Sequence, residues 1–314
     1  MHGPLQAKVP PVDSAHPPRW KTLLAFAIIY FVWGSTFYAI RVGVHEVPPL
    51  LYAAVRFTIA GVALFAWAVA RREHLPKGRE WAAVALVAFF IFVLDYGFLF
   101  WAEQRVPSGT AAVILATIPA FMAIAEITLL RTERLTFRLA SALLIGLAGV
   151  VVLVDPAAGI AGAPVYLFGA AALLVSAMSW SFASVLSKRL PMPPSKVMSA
   201  ATQMLVGGLL LCIVAAAAGE ERGFHPGAVS SAAWIALAYL TVAGSIVGFT
   251  AYTWLIHHQS PTKVGTYAYV NPLVAVVVGH FIGGEVLDAR TMLGAALVLV
   301  SVIVITTRRR VRQT

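Results

Sequence analysis

Charge is scarce in this sequence. Of 314 residues only 36 are Lys, Arg, Asp or Glu, 11% of the chain, while 60% are apolar. Soluble globular domains carry about 25% charged and about 45–50% apolar residues. A water-soluble fold of this size cannot cover so much apolar surface with so few charges, so the composition argues for a multi-span membrane protein. Cysteine is nearly absent: Cys212 is alone, in an apolar stretch. That excludes an intramolecular disulfide and argues against a thiolate metal cluster. His257-His258 have no third ligand at helical spacing, so neither a metal nor another cofactor is expected. The chain has no H-E-x-x-H, no G-x-S-x-G and no nucleotide-binding motif. An intramembrane enzyme therefore lacks its machinery, and ATP cannot drive this chain directly. Acids are outnumbered 13 to 23, for a net charge of +10. The bases flank apolar runs and do not cover a soluble surface, so the expected partner is the bilayer and not nucleic acid.

Ten apolar runs are present, at about 23–42, 50–70, 81–102, 107–130, 136–154, 164–187, 197–218, 232–256, 262–282 and 291–307. A membrane helix needs about 20 residues, and unpaired backbone groups make helices the default in lipid. The expectation is an all-α membrane protein of ten transmembrane helices, with no room for a soluble catalytic domain. Residues 1–22 are proline-rich and read as a disordered cytoplasmic tail without a signal peptide. Residues 308–314 form a basic cytoplasmic tail. With an even number of spans, eighteen of the 23 basic residues fall on the side that holds both termini and three on the other. Arg41 and Arg56 lie within spans. Basic residues favour the cytoplasmic side, so both termini are expected there, in the cytoplasmic (inner) membrane of a bacterium.

The chain repeats itself. At an offset of 147, Trp33 meets Trp180, Arg41 meets Lys188 and Gly61 meets Gly208; at 153, Trp101 meets Trp254 and Pro119 meets Pro272. The two units are 23–154 and 164–307. Each holds five spans, an odd number, so the second is expected to be inverted relative to the first. Two inverted five-helix repeats around a central cavity are a signature of secondary transporters, which expose one midplane site alternately to each side.

Particular motifs then point to a family. Trp33-Gly34-Ser35-Thr36-Phe37, Arg56-Phe57, Ala102-Glu103-Gln104 and Ile118-Pro119 stand in the first unit. Ser179-Trp180, Tyr267-Ala268-Tyr269-Val270-Asn271-Pro272 and Gly283-Gly284-Glu285 stand in the second. With them the chain, over about 23–307, resembles the drug/metabolite transporter superfamily, specifically its EamA-type ten-helix exporters. The resemblance implies a cavity formed mainly by spans 1, 3, 4, 6, 8 and 9, and export of a small molecule from the cytoplasm. Similar members carry amino acids, amines, purine-like metabolites or drugs. Amino acids, aromatic or bulky and neutral, are the favoured substrates. A non-transporting sensor or scaffold is the reading from another class. Monomer and weak homodimer both remain open.

Candidate site residues follow from polarity inside spans. Arg56 is costly there unless it faces a cavity or a partner; it stands either as a counter-charge for a substrate carboxylate or in an ion pair with Asp95. Asp95 departs from the family pattern and is a candidate for proton coupling or substrate contact. His280 is a second coupling candidate, against a packed histidine. Coupling to protons, exchange and uniport all remain open. Trp33, Tyr38, Tyr96, Trp180, Tyr267 and Tyr269 offer faces for stacking and cation–π attraction, although Trp and Tyr also collect at interfaces. Ser35 and Asn271 complete the expected cavity. Pro119 and Pro272 break backbone pairing and serve as hinges or static kinks. Glu126 reads as partly exposed beside Arg131, and Trp101 and Trp254 as interfacial. Gly244 and Gly248, spaced G-x-x-x-G, read as packing within the monomer.

Overall fold

The computed structural model describes residues 17–106, 111, 114–154, 164–222, 224–274 and 289–307. Helices dominate, and no strand occurs among the described residues. Helix α1 spans Arg19–Val44, α2 Pro49–Ala70 and α3 Gly78–Glu103. Then come α4 (Ile118–Leu130), α5 (Phe137–Val154) and α6 (Pro164–Leu186). Helix α7 is Lys196–Ala217 and α8 is Ser231–His258. Helix α9 opens at Pro261–Val264, turns at 265–266 and resumes over 267–274; α10 is Ala289–Thr306. Each of the ten apolar runs is helical over most of its described residues. Six helices, α1, α2, α3, α6, α7 and α8, are long and apolar enough to cross a bilayer among the described residues.

Local chemistry sets the boundaries. Helix α1 begins at Arg19, four residues before the predicted run, because Pro18 adopts φ −52° and ψ 134° and starts the helix behind it. Pro49 occupies the first turn of α2, where its missing N–H costs nothing. Ser195, Ser230 and Ser260 cap α7, α8 and α9 by accepting the N–H of Met198, Ala233 and Lys263. At the start of α3, Glu80 accepts the N–H of Lys77 at 2.9 Å. Outside, large apolar side chains lie bare: Phe137 is 90% exposed and Ile235 70%. In water such a surface would aggregate; in a bilayer it is solvated.

Helices α2 and α7 cross closely at the repeat-related glycines. A β-carbon on Gly208 would lie 2.5 Å from the Thr58 nitrogen, and one on Gly61 2.6 Å from the Leu205 Cα. Only glycine permits that approach. A small second core joins α5, α9 and α10 through Ala142, Tyr269 and Val298.

Helices α3 and α8 each contain a π-helical stretch, Phe89–Tyr96 and Leu240–Phe249. The offset of 153 carries residues 89–96 onto 242–249, so the two stretches occupy matching places in the repeat. A π turn widens the helix by one residue and re-aims the side chains that follow.

Candidate functional site

Helices α1, α2, α3, α6 and α9, with the start of α4, line a cavity of about 60 Å³. That is room for a few water molecules. Along α1 its wall is Trp33, Thr36, Phe37 and Ile40. These sit at i, i+3, i+4 and i+7, one stripe of a helix. Along α9 it is Tyr267, Ala268, Asn271 and Pro272; Arg56 comes from α2, Asp95, Tyr96 and Leu99 from α3, and Trp180 from α6.

The structure thus brings together Trp33, Arg56, Asp95, Tyr96, Trp180, Tyr267 and Asn271 of the expected residues. Three others lie elsewhere. Tyr38 is 72% exposed on the outer face of α1. Ser35 is held by Tyr239 at 2.5 Å and by the Val32 carbonyl at 2.7 Å, off the cavity stripe. Tyr269 points away into the second core, where its hydroxyl donates to the Leu143 carbonyl at 3.0 Å. Pro272 lines the cavity, and Pro119 occupies the first turn of α4, just after a break in the helix at 116–117. His280 lies outside the described residues.

Arg56 and Asp95 do not form the ion pair that the sequence leaves open. Each is held instead by a serine hydroxyl of the second repeat. Arg56 Nε donates to Ser245 Oγ at 2.8 Å, and Ser176 Oγ donates to Asp95 Oδ1 at 2.5 Å. The guanidinium lies over the rings of Phe57, Tyr96 and Phe100, at 4.6, 5.5 and 6.0 Å. Arg56 is 1% exposed, and its Nη1 is buried without a hydrogen-bond partner. Asn271 Oδ1 is likewise buried and unpartnered. Unmet donors and acceptors of this kind cost about 1–3 kcal/mol each, and more where the group is charged.

The G-x-x-x-G of α8 serves two side chains. Trp33 Nε1 donates to the Gly244 carbonyl at 3.0 Å, and a β-carbon on Gly248 would lie 2.5 Å from that nitrogen. A β-carbon on Gly244 would lie 2.8 Å from Arg56 Nη2. The spacing therefore packs within the monomer, but it admits side chains of the first repeat and not a neighbouring backbone.

Rings cluster against the cavity. Trp33 meets Trp180 edge to face at 5.5 Å and Tyr267 at 4.9 Å; Trp180 meets Tyr252 at 4.7 Å, and the Tyr252 hydroxyl donates to Ser184. Glu126 is buried, contrary to its expected exposure. Its Oε2 accepts from Thr262 N at 3.1 Å and Thr262 Oγ1 at 2.8 Å, and its Oε1 from Thr132 Oγ1 at 3.1 Å. The carboxylate thus ties α4 to the first turn of α9, a helix end that favours negative charge.

Two more carboxylates tie the opposite end of the bundle. Glu46 accepts from both Ser230 N and Ser230 Oγ at 2.7 Å, joining the α1–α2 connection to the start of α8. Those bonds hold its carboxyl below the ordinary range. Glu220 accepts Leu51 N at 2.9 Å at the start of α2. Partial burial pushes its carboxyl up, against the lowering effect of the Leu51 and Leu50 N–H groups. Trp101 and Trp254 are half-buried near helix ends, under Arg105 at 3.9 Å and stacked on His258 at 4.3 Å.

Residues that sequence reasoning missed are of two kinds. Ile40, Leu99 and Leu115 are apolar residues in apolar helices, with nothing to mark them. Ser176 and Ser245 are buried serines, and in such helices a serine ordinarily bonds its own backbone.

The model of the EamA-like transporter family matches residues 20–155 and again 167–307. The uncharacterized inner membrane transporter YedA of Escherichia coli (strain K12) is 36% identical over 294 residues, 92% of each chain. The uncharacterized transporter YvbV of Bacillus subtilis (strain 168) is 24% identical, over 94% of this chain and 95% of that one. A solved crystal structure, 23% identical, superposes with a TM-score of 0.73 over 91% of this chain and 97% of that one, which shows a shared fold.

Proposed function

The chain belongs to the EamA-like transporter family, as a multi-pass membrane transporter built of two such repeats; from that premise we propose that it exports amino acids, aromatic or bulky and neutral, across the inner membrane by alternating access. The observation that carries this reading is the unpartnered, buried Nη1 of Arg56, a residue that lines a cavity together with Asp95 and five aromatic side chains. A carboxylate satisfies Arg56, an ammonium group suits Asp95, and the rings suit a side chain. The repeats run as two inverted five-helix units, both termini face the cytoplasm, and substrate sits where the units meet.

In this reading the small cavity belongs to a state between the two open ones. The ring cluster and the Glu126–Thr262 contact shut the cytoplasmic end. The Glu46 and Glu220 contacts shut the other. Each set releases in turn as one repeat rocks against the other. Asp95 is the candidate group for a coupling proton. The related uncharacterized transporters do not name a substrate, so exporters of drugs, amines or purine-like metabolites form the competing reading; the charged pair of Arg56 and Asp95 favours a zwitterion over these. Efflux from proteoliposomes loaded with labelled amino acids, amines and nucleosides tests the choice. Amino-acid efflux that Arg56→Ala abolishes supports it, and efflux of amines or nucleosides alone sinks it.

A further inference from the structure

We infer that Ser245 is a positioning residue for substrate recognition: by holding Arg56 through Nε, it leaves the end-on edge of the guanidinium, Nη1 foremost, to take a substrate carboxylate. This rests on the transport reading above and adds to it the group that sets the pose of the cation.

The geometry leaves Arg56 one way to serve. A guanidinium grips a carboxylate in a fork, through two neighbouring N–H groups. The side edge includes Nε, which is already bonded to Ser245 Oγ at 2.8 Å. Gly244 lies beside Nη2, with no side chain to crowd it. Nη1 is buried and unpartnered. The free edge is therefore the one that Ser245 does not hold. Ser245 is fully buried and does not line the cavity, so it acts through Arg56 and not on substrate. It sits in the π-helical stretch of α8, whose extra residue aims Gly244 and Ser245 at α2. Without its hydroxyl, the flexible arginine is free to turn Nε toward the cavity, and the fixed fork is lost.

The test uses the purified full-length chain in detergent and two probes that each carry half of a zwitterion. 3-Phenylpropionate has a carboxylate and no amine; phenethylamine has an amine and no carboxylate. Thermal melting is followed as each probe is titrated. The wild type is expected to be stabilised by 3-phenylpropionate. Ser245→Ala is expected to need about tenfold more of it, the value of one hydrogen bond to a charged group, with its response to phenethylamine unchanged. Gly244→Ala keeps the hydroxyl but crowds Nη2, so it too is expected to weaken the carboxylate probe alone; it keeps the test alive if Ser245→Ala melts before any probe is added. Equal responses to 3-phenylpropionate in wild type and both variants overturn the inference, as does a wild type that no concentration of this probe stabilises. If the expected pattern appears but loaded proteoliposomes release no amino acid, the inference stands and the transport reading fails.

Discussion

Removing the carboxylate of Glu126 is expected to open the end of the cavity beside it, the cytoplasmic end in the proposed orientation. Glu126 is 3% exposed and Thr262 2%, so the contact between them is dry. Glu126→Ala strips an acceptor from both Thr262 N and Thr262 Oγ1. Each bond to a charged acceptor is worth about 1.5–3 kcal/mol. Water entering the vacated space restores part of that, which leaves a net loss of about 2 kcal/mol. If α4 and α9 part when the cytoplasmic end opens, the loss falls on the closed state alone. The closed-to-open ratio then drops about 30-fold, at about 1.4 kcal/mol per decade. Accessibility reads the shift: Cys212 is replaced by Ser, Ala268 on the cavity wall by Cys, and inside-out vesicles are treated with an impermeant maleimide. Labelling of the Ala268→Cys site is expected to accelerate by about that factor when Glu126→Ala is added. An unchanged rate, in protein that remains monodisperse, refutes the latch: Glu126 would then only cap α9, equally in every state.

Other changes probe separate parts of the molecule. Gly208→Val forces side-chain atoms against the Thr58 nitrogen and is expected to destabilise by about 1–3 kcal/mol, seen as a lower melting temperature in detergent. The Glu46 carboxyl is held below its ordinary range by Ser230. Its stabilisation is therefore complete above the unfolded pKa of about 4.3 and lost as pH falls through the lower, folded value. Glu46→Gln is expected to lower the melting temperature at neutral pH, to leave the most acid pH nearly unaffected, and so to flatten that acid-side step in a plot of melting temperature against pH. Asp95→Asn is expected to abolish pH-dependent accumulation in proteoliposomes if Asp95 carries a coupling proton; retained pH dependence assigns coupling elsewhere or excludes it.

The helices were legible because apolar runs of about 20 residues have few alternatives in lipid. Trp33 and Trp180 were legible as a pair because the repeat aligns them, and they meet at 5.5 Å. Helix rotation was not legible. In a soluble helix, polarity marks the outer face; in α1 both the lipid face and the buried face are apolar, so no contrast shows that Trp33, Thr36, Phe37 and Ile40 form the inner stripe while Ser35 and Tyr38 fall off it. The same blindness separates Tyr267 from Tyr269. Two residues apart on a helix, they point to nearly opposite sides, one into the cavity and the other into the second core. Nor does composition reveal a π turn. Those in α3 and α8 carry Asp95 and Ser245, and the hydroxyl on the facing helix, not a countercharge, partners each charged residue.

Efflux tests the central claim most directly. Purified chain is reconstituted in liposomes loaded with labelled amino acids, amines and nucleosides, and release is compared for wild type, Arg56→Ala and Arg56→Lys. The expected result is release of aromatic or bulky neutral amino acids by the wild type. It falls at least about tenfold in Arg56→Ala, and Arg56→Lys restores little, because an ammonium group cannot reproduce the fork. Wild-type release of amino acids that persists undiminished in Arg56→Ala, or release of amines and nucleosides only, contradicts the proposed site.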